Sequence, residues 1–367
     1  DVVLLGPLPT PGVSFLANSN NQAGVVISAS HNLFEDNGIK FFNKDGQKFS
    51  AELEKRIETK LTEEMEAVES INLGKASRMS DAQGRYVEFC KSSFNTLDLS
   101  GLSILLDCAN GATYSVAPKV FSELGAKIHT ISASPDGINI NQNCGSTNPE
   151  TLKGEIVKGN YDIGIAFDGD GDRILIISSD GTILDGDDIL YILSKQISDD
   201  SGIVGTLMTN KSLEIYFQEN KINFFRADVG DKYVLQKLTE KAWYLGGEPS
   251  GHIICLDAAQ TGDAIIAALK VLDAIKDQGF SLGKALEEFE KYPQTLINLK
   301  VDNPNKIILS DKFWQKVTDI ELHLGVEGRV LIRPSGTEPL IRIMVESREQ
   351  KISDSLCNVL ADLAQTI

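Results

Sequence analysis

Two short runs of nearly uninterrupted apolar residues constrain the fold of this chain more than any other feature. They cover Ser103–Asp107 and Asp162–Phe167, and segments with helical spacing of apolar residues stand around them. Runs of this length that are apolar on both faces are typical of parallel strands covered by helices. The same order of strand, turn and helix recurs over most of the chain. This order predicts an α/β fold with three similar α/β domains in succession.

The C-terminal part has a different pattern. Residues 330–333 and 340–346 alternate between apolar and polar side chains, which is typical of half-buried strands in a hairpin. Residues 350–366 place apolar side chains at helical spacing. We therefore expect a small C-terminal α+β lid domain. The predicted domains are residues 1–82, 83–181, 182–293 and 294–367.

Charge and cysteine content exclude several classes of partner. The net charge of −17 argues against a nucleic acid or an anionic membrane, because both bind basic protein surfaces. No apolar run approaches the about 18 residues that a membrane-spanning helix needs. The five cysteines are odd in number and widely scattered. This predicts reduced thiols in a cytoplasmic protein rather than a disulfide or zinc framework.

Three carboxylates follow the second apolar run directly, in the segment 168–173 (DGDGDR). Glycines separate Asp168, Asp170 and Asp172, so no intervening side chain prevents the carboxylates from converging on one hard cation such as Mg²⁺. An EF-hand calcium loop requires a glutamate at its twelfth position, where this chain has Ser179. A solvated acidic turn is the remaining alternative. The pattern predicts a magnesium site with an open position for a phosphate oxygen.

A serine-rich turn at residues 28–32 (SASHN) follows the short apolar strand Val25–Ile27. The end of a strand is a rigid place for a nucleophile, and Ser30 is the candidate for that role. Lys40 follows a turn signal further along and is the candidate proton carrier. The alternative is a Ser/Asn-rich turn whose hydroxyl groups form only local hydrogen bonds.

Residues 246–252 (GGEPSGH) form a glycine-framed loop with a carboxylate, a hydroxyl and an imidazole. Glu248, Ser250 and His252 together suit the hydroxyl and amino groups of a sugar. The alternative is a hairpin turn with incidental polar residues. Residues 229–234 (VGDKYV) and Arg226 are further candidates for lining the same site, whereas we expect Asn110 to stabilise only its own turn.

Residues 333–339 (RPSGTEP) and Arg342 have the composition of a phosphate-binding loop. Guanidinium groups, the hydroxyls of Ser335 and Thr337, and backbone N–H groups around Gly336 all bind phosphate oxygens well. A structural turn is the alternative. The loop lacks the lysine of an ATP-binding P-loop. No serine of these loops lies in a GxSxG segment, which disfavours an α/β-hydrolase.

These loops occur in an order that resembles the α-D-phosphohexomutase superfamily: a serine loop, a DGDGDR loop, a GExSGH loop and an RPSGTEP loop. The resemblance covers essentially the whole chain. Within the superfamily, four segments are most similar to bacterial members that act on glucosamine phosphates; they are residues 27–32 (ISASHN), 36–42 (DNGIKFF), 107–112 (DCANGA) and 137–147 (GININ with CGST). Leu33, Asn148 and Pro249 depart from the family pattern. Members begin with a longer N-terminal segment, so we expect this chain to lack the start of the first domain.

The resemblance implies four domains around a central active-site cleft and an enzyme that interconverts glucosamine 6-phosphate and glucosamine 1-phosphate. The reaction would pass through a phosphoserine and a sugar 1,6-bisphosphate activator, and it would feed UDP-N-acetylglucosamine and cell-wall precursor synthesis. The partner would be a small sugar phosphate, and the protein a monomer or homodimer.

The resemblance also implies a role for each candidate residue. Ser30 would carry the phosphate and, with Asp168, Asp170 and Asp172, hold one Mg²⁺. Lys40 would transfer protons, aided by His31, with Arg173 lowering the pKa of Lys40. The substrate would be bound by Glu248, Ser250, His252, Arg333, Ser335, Gly336, Thr337 and Arg342.

Three alternatives stay open from the sequence. A phosphoglucomutase or phosphomannomutase would use the same mechanism on another hexose. A Mg²⁺-dependent phosphatase would use the same aspartates. A sugar-phosphate-binding protein would bind the ligand without turnover.

Overall fold

The computed structural model describes residues 1–64, 67–335 and 339–367. Contacts within the chain divide it into two compact units. Unit 1 comprises residues 1–208 and 225–287, and unit 2 comprises residues 209–224 and 288–367.

The first segment of unit 1 contains two separate two-stranded sheets. Its elements are β1 (Val2–Leu4), α1 (Thr10–Asn20), β2 (Gly24–Ile27), β3 (Ile39–Phe42), α2 (Ala51–Leu61), β4 (Ala76–Arg78) and α3 (Ala82–Ser92). β1 pairs with β4 in parallel, and β2 pairs with β3 antiparallel, with Val26 opposite Lys40. This register places Lys40 on the strand next to the one that ends at the serine loop.

A five-stranded sheet forms the middle of unit 1. Its elements are β5 (Ser103–Asp107), α4 (Ala117–Glu123), β6 (Lys127–Ile131), α5 (Glu150–Lys158), β7 (Ile163–Phe167), β8 (Ile174–Ser178) and β9 (Ile183–Leu184). The strand order is β6-β5-β7-β8-β9, and β5 is parallel to both β6 and β7. The two apolar runs are therefore neighbouring parallel strands, as predicted, and every residue of β7 is buried. β8 runs antiparallel to β7, so residues 168–173 form the turn between them.

The last segment of unit 1 again alternates strands and helices. Its elements are α6 (Gly186–Ser194), β10 (Gly202–Thr206), β11 (Asn223–Ala227), α8 (Asp231–Lys241), β12 (Leu245–Gly247), β13 (Ile253–Cys255), α9 (Ala264–Ile275) and α10 (Leu282–Ala285), while α7 (Lys211–Glu219) belongs to unit 2. β12 is parallel to β10 and antiparallel to β13. Residues 248–252 therefore form a hairpin turn between β12 and β13.

Unit 2 is built on a three-stranded antiparallel sheet with helices packed against it. Its remaining elements are β14 (Gln294–Lys300), α11 (Pro304–Ile308), α12 (Asp311–Leu324), β15 (Gly328–Pro334), β16 (Leu340–Ser347) and α13 (Gln350–Gln365), with strand order β14-β16-β15. The hairpin and the C-terminal helix are as predicted. Helix α12 was not predicted, although Phe313, Val317 and Ile320 lie buried on one face at helical spacing.

All five cysteines are free thiols with buried side chains. None of the described helices combines the length and the apolar character needed to cross a membrane.

One buried carboxylate joins two helices of unit 1. Asp263 caps the N-terminus of α9 by accepting hydrogen bonds from the N–H groups of Ile265 and Ile266, each at 3.0 Å. Its other oxygen accepts a hydrogen bond from Tyr86 Oη of α3 at 2.8 Å. Complete burial nevertheless raises the pKa of Asp263 to about 6.

We expect this pKa to appear in the pH dependence of stability. The folded pKa of about 6 lies above the value of an unfolded aspartate, so the contribution of Asp263 is greatest below about pH 4 and is lost as the pH rises through 6. The Asp263→Asn variant keeps an oxygen for the cap but does not titrate. The free energy of unfolding of the parent protein, relative to this variant, should fall by about 2 kcal/mol between pH 4 and pH 7. Urea unfolding at four pH values measures it, and parallel profiles would contradict it.

Candidate active site

The turn after β7 folds around the carboxylate of Asp168. Its Oδ1 accepts hydrogen bonds from the N–H groups of Gly171, Asp172 and Arg173, each at 3.1 Å. Asp168, Asp170 and Asp172 are all buried, and one oxygen from each lies within 4.8 Å of the others. The structure therefore brings the three predicted carboxylates together.

Ser30 lies beside this turn, just beyond the end of β2. Its Oγ donates a hydrogen bond to Asp168 Oδ2 at 2.7 Å. Its backbone is in the left-handed region, with φ of 56°, which few non-glycine residues adopt. The hydroxyl of Ser28 forms a local hydrogen bond with the Ser30 N–H at 2.9 Å. The local-turn alternative thus describes Ser28, whereas the hydroxyl of Ser30 reaches the carboxylates.

Lys40 forms ion pairs with two of the three carboxylates. Its Nζ lies 2.6 Å from Asp170 Oδ2 and 3.4 Å from Asp172 Oδ2. Burial alone would lower the pKa of Lys40. The negative charges of Asp172 and Asp170 have a larger effect in the opposite direction, so the pKa of Lys40 lies above its ordinary value. The expectation that Lys40 has a lowered pKa is therefore wrong, because two carboxylates lie within 3.4 Å of its ammonium group.

His31 and Arg173 border the same carboxylates. Burial lowers the pKa of His31, and the positive charge of Arg173 lowers it further. His31 Nδ1 is buried and has no hydrogen-bond partner in the described part of the chain. Arg173 Nε lies 4.0 Å from Asp172 Oδ1.

The carboxylates of the turn differ in their affinity for protons. Burial and the charges of Asp172 and Asp170 raise the pKa of Asp168 well above its usual range. Burial also acts to raise the pKa of Asp172, but the neighbouring His252, Lys40 and Lys48 hold it well below that range.

The donor set fits a hard divalent cation. The Oδ1 atoms of Asp170 and Asp172 are buried and accept no hydrogen bond from any described residue. Buried carboxylate oxygens that accept no hydrogen bond are costly, and carboxylate oxygens are the ligands that Mg²⁺ and Ca²⁺ prefer.

The hairpin turn between β12 and β13 carries the predicted sugar-binding residues. Glu248 and His252 are buried, whereas Ser250 is exposed. Glu248 Oε1 accepts a hydrogen bond from the Gly230 N–H at 2.9 Å. His252 lies between two carboxylates, with Nδ1 at 3.7 Å from Asp172 Oδ1 and Nε2 at 3.9 Å from Asp231 Oδ2. This hairpin is therefore connected to the carboxylate turn and to the start of α8.

Several residues of the site carried no clear signal in the sequence. Thr10 donates a hydrogen bond to Asp170 Oδ2, and Lys48 forms an ion pair with Asp231. Asn110 was expected to stabilise only its own turn; instead its Oδ1 accepts from the Ser134 N–H at 3.1 Å. Asn141 donates to backbone carbonyls of the serine loop. These contacts join residues far apart in the chain, so local patterns do not predict them.

Unit 2 carries the predicted phosphate-binding residues. Arg333 of β15 and Arg342 of β16 stand directly opposite each other, so both side chains lie on one face of the sheet. Ser335 follows β15, and its N–H donates a hydrogen bond to the Leu340 carbonyl at 2.9 Å. Gly336 and Thr337 lie outside the described residues. Two like charges in directly opposite positions destabilise a sheet, and a bound anion relieves their repulsion.

Gly169 separates Asp168 from Asp170 and has a steric reason to be glycine. A Cβ atom there would lie 2.6 Å from the Ser30 carbonyl oxygen and 2.7 Å from Asn141 Nδ2. We expect Gly169→Ala to lower the free energy of unfolding by about 1–3 kcal/mol, the usual cost of overpacking. Gly154→Ala is the control, because that helical glycine has nothing within 4 Å. It should stabilise the protein by about 0.5–1 kcal/mol. Chemical denaturation of both variants tests the steric argument, which fails if Gly169→Ala is neutral.

Four family models match consecutive segments of the chain. They describe alpha/beta/alpha domains I, II and III and the C-terminal domain of phosphoglucomutase/phosphomannomutase, and they match residues 1–68, 84–181, 185–292 and 296–363. The predicted α/β fold of four domains is thereby confirmed.

Curated relatives match over nearly the whole chain. A phosphoglucosamine mutase of Legionella pneumophila (strain Corby) is 50% identical over an alignment of 368 residues, which covers 99% of this chain and 81% of the relative. A phosphoglucosamine mutase of Pseudomonas entomophila is 49% identical over 374 residues, covering 100% of this chain and 84% of the relative.

Solved structures share the fold at lower identity. A phosphoglucomutase/phosphomannomutase family protein of Burkholderia thailandensis has a TM-score of 0.81 at 24% identity, covering 100% of this chain and 83% of that one. An Aspergillus fumigatus N-acetylphosphoglucosamine mutase, solved in complex with GlcNAc-6P and magnesium, has a TM-score of 0.76 at 18% identity, covering 96% and 91%. Because the four family models together match most of the chain and the relatives are 49–50% identical to it, the chain belongs to the phosphoglucomutase/phosphomannomutase family and, within it, to the phosphoglucosamine mutases.

Proposed function

We propose that the chain interconverts glucosamine 6-phosphate and glucosamine 1-phosphate through a phosphoserine at Ser30. The observation that carries this mechanism is the hydrogen bond of 2.7 Å from Ser30 Oγ to Asp168, at the edge of three buried carboxylates. The names of the relatives at 49–50% identity support the amino sugar as substrate.

We propose Mg²⁺ as the resident cation, held by Asp168, Asp170, Asp172 and an oxygen on Ser30. The buried Oδ1 atoms of Asp170 and Asp172, which accept no hydrogen bond from a described residue, support this choice. The magnesium in the related Aspergillus fumigatus structure also supports it. When bound, such an ion neutralises charge on a phosphoryl group during its transfer.

The transfer itself exchanges one phosphate ester for another. The O–P bond at Ser30 breaks while a hydroxyl oxygen of the sugar phosphate forms an O–P bond and loses its proton. The resulting sugar bisphosphate returns its other phosphate to Ser30, so no phosphate is released overall. A sugar bisphosphate added from outside would charge Ser30 and act as the activator.

We propose that His31 and Lys40, aided by Arg173, handle the proton of the sugar hydroxyl and the charge of the site. His31, whose pKa is lowered and whose buried Nδ1 has no hydrogen-bond partner among the described residues, can accept the proton. The charged Lys40, held at the carboxylates by two ion pairs, balances charge and can return a proton to the departing oxygen. Both groups lie on the strand and loop that also position Ser30.

We propose that the sugar is bound by Glu248, Ser250 and His252. One oxygen of Glu248 accepts a hydrogen bond from Gly230, which fixes the carboxylate and leaves its second oxygen for a ligand hydroxyl or ammonium. The exposed Ser250 hydroxyl is open to solvent and thus to a ligand.

Three further attributes complete the proposal. The five buried free thiols support a cytoplasmic location, where sugar phosphates occur. We expect a monomer or homodimer, which light scattering in solution distinguishes. The domain boundaries at residues 82/83, 181/182 and 293/294 stay predictions that limited proteolysis can test.

The central test replaces the nucleophile. Ser30→Ala should lower turnover by about 10⁴-fold or more, because no other group can carry the phosphate between the two positions. Phosphorus NMR of glucosamine 6-phosphate with Mg²⁺ and a trace of sugar bisphosphate follows the 1-phosphate directly. Ser122→Ala is the control, because that exposed hydroxyl donates to the Lys119 carbonyl of its own helix, and this variant should keep the activity. Near-normal turnover by Ser30→Ala would contradict the mechanism.

The same assay separates the alternatives. Glucosamine 6-phosphate should be converted fastest, whereas a preference for glucose 6-phosphate or mannose 6-phosphate would place the specificity with those hexoses. Net release of inorganic phosphate would indicate a phosphatase, and binding without conversion would indicate a binding protein.

We propose that a phosphate group of the substrate is held by Arg333 and Arg342, together with Ser335, Gly336 and Thr337. Arg333→Met or Arg342→Met should raise KM for the sugar phosphate about tenfold or more, because each removes a charge-assisted hydrogen bond. Arg348→Met is the control, since that exposed side chain pairs with Glu327 at 3.0 Å. Initial rates over a range of substrate concentrations give KM, and equal effects of all three substitutions would refute the assignment.

A further inference from the structure

The side chain of Asn141 contacts the backbone of the serine loop, although the two lie far apart in the sequence. Its Nδ2 donates hydrogen bonds to the carbonyl oxygens of Ser30, at 2.9 Å, and Asn32, at 2.7 Å. Only 5% of Asn141 is exposed. The reaction proposed above gives Asn141 no role. Its side chain nevertheless reaches the serine loop from another part of the chain and donates a hydrogen bond to the Ser30 carbonyl.

The chemistry of the contact fixes the orientation of the amide. Both partners are carbonyl oxygens, which only accept hydrogen bonds. Nδ2 supplies two donors, whereas the reversed amide would direct Oδ1 at both oxygens. An aspartate of the same shape has no donor to offer. The contact therefore requires an amide.

The backbone of Asn141 is itself held by the five-stranded sheet. Its N–H donates a hydrogen bond to the Ala109 carbonyl at 2.8 Å, just beyond the end of β5. Asn110 donates to the Asn139 carbonyl at 3.4 Å. The carboxamide of Asn141 thus extends from a loop that is fixed to the sheet.

The serine loop needs support of this kind. Ser30 has a φ of 56°, a left-handed conformation that costs free energy for a residue with a Cβ and persists only where the surroundings hold it. Within the loop, the Ser30 N–H is held by Ser28 Oγ. The Ser30 carbonyl is held by Asn141, and Gly169 packs against both of these groups.

We propose that Asn141 is a positioning residue for Ser30: its amide holds the serine loop in the left-handed conformation in which Ser30 Oγ reaches Asp168. This proposal rests on the function proposed above, in which Ser30 carries the phosphate. Without the two donors, the loop relaxes toward the ordinary backbone regions, and Oγ moves away from the carboxylates.

The test substitutes glycine, because glycine adopts the left-handed backbone of residue 141 without strain and removes only the amide. Asn141→Gly should lower kcat about 10²-fold, the typical cost of a misplaced reacting group. KM for glucosamine 6-phosphate should stay close to its original value, since no sugar or phosphate contact is lost. Asn141→Asp should lose at least as much activity, because its carboxylate faces two carbonyl oxygens.

Asn143→Gly is the matched control. Asn143 lies two residues away, also has a left-handed backbone with φ of 54°, and its side chain is exposed. The two glycine variants therefore share the backbone effect, and only the first removes a contact to the serine loop. Asn143→Gly should keep both kcat and KM.

Hydrogen–deuterium exchange provides a readout that does not depend on activity. In Asn141→Gly, amides of residues 29–32 should exchange faster, while those of β5 and β7 keep their protection. Unchanged kcat and exchange would overturn the proposal, and so would faster exchange throughout the five-stranded sheet, which would indicate a general structural role. If exchange rises only at residues 29–32 while Ser30→Ala retains turnover, the positioning of the loop stands and the proposed phosphoserine function fails.

Discussion

The carboxylate of Asp168 holds together the two loops on which the candidate site depends. Oδ1 accepts three backbone N–H groups and thereby folds its own turn, and Oδ2 accepts the hydroxyl of Ser30. A carboxylate with several hydrogen bonds can be buried completely, as this one is. This side chain, at the end of a buried strand, therefore links the hydroxyl of Ser30 to the acidic turn.

The cost of burying this carboxylate explains the arrangement of charge around it. Asp170 and Asp172 lie close to Asp168, and their repulsion adds to burial in raising its pKa. Lys40 forms ion pairs with two of the three carboxylates, and His252 Nδ1 lies 3.7 Å from Asp172 Oδ1. Because these two partners come from β3 and from the β12–β13 hairpin, the acidic turn joins elements from all three parts of unit 1.

The sequence predicted those features that depend on local patterns. The apolar runs identified β5 and β7, and the alternation of aspartate and glycine identified the carboxylates that follow β7. Asn141, Thr10 and Lys48 could not be predicted in this way, since each contacts a residue at least 111 positions away. The shift in the pKa of Lys40 was predicted with the wrong sign, because the spacing of residues did not show that two carboxylates lie within 3.4 Å of its ammonium group. Helix α12 was missed although its helical spacing was present, so there the fault lay in the interpretation.

The glycines of the acidic turn were explained from the sequence as spacers that leave the carboxylates free to converge. The structure gives them a second reason. Gly169 lets the turn approach the Ser30 carbonyl and Asn141, and a Cβ atom on Gly111 would lie 2.3 Å from the Gly169 carbonyl oxygen. That oxygen accepts the Ala112 N–H at 2.8 Å, so two turns of the sheet meet backbone to backbone. These contacts fix the surface against which the serine loop packs. We propose that Asn141, which donates to the Ser30 carbonyl beside Gly169, holds Ser30 in its left-handed conformation there.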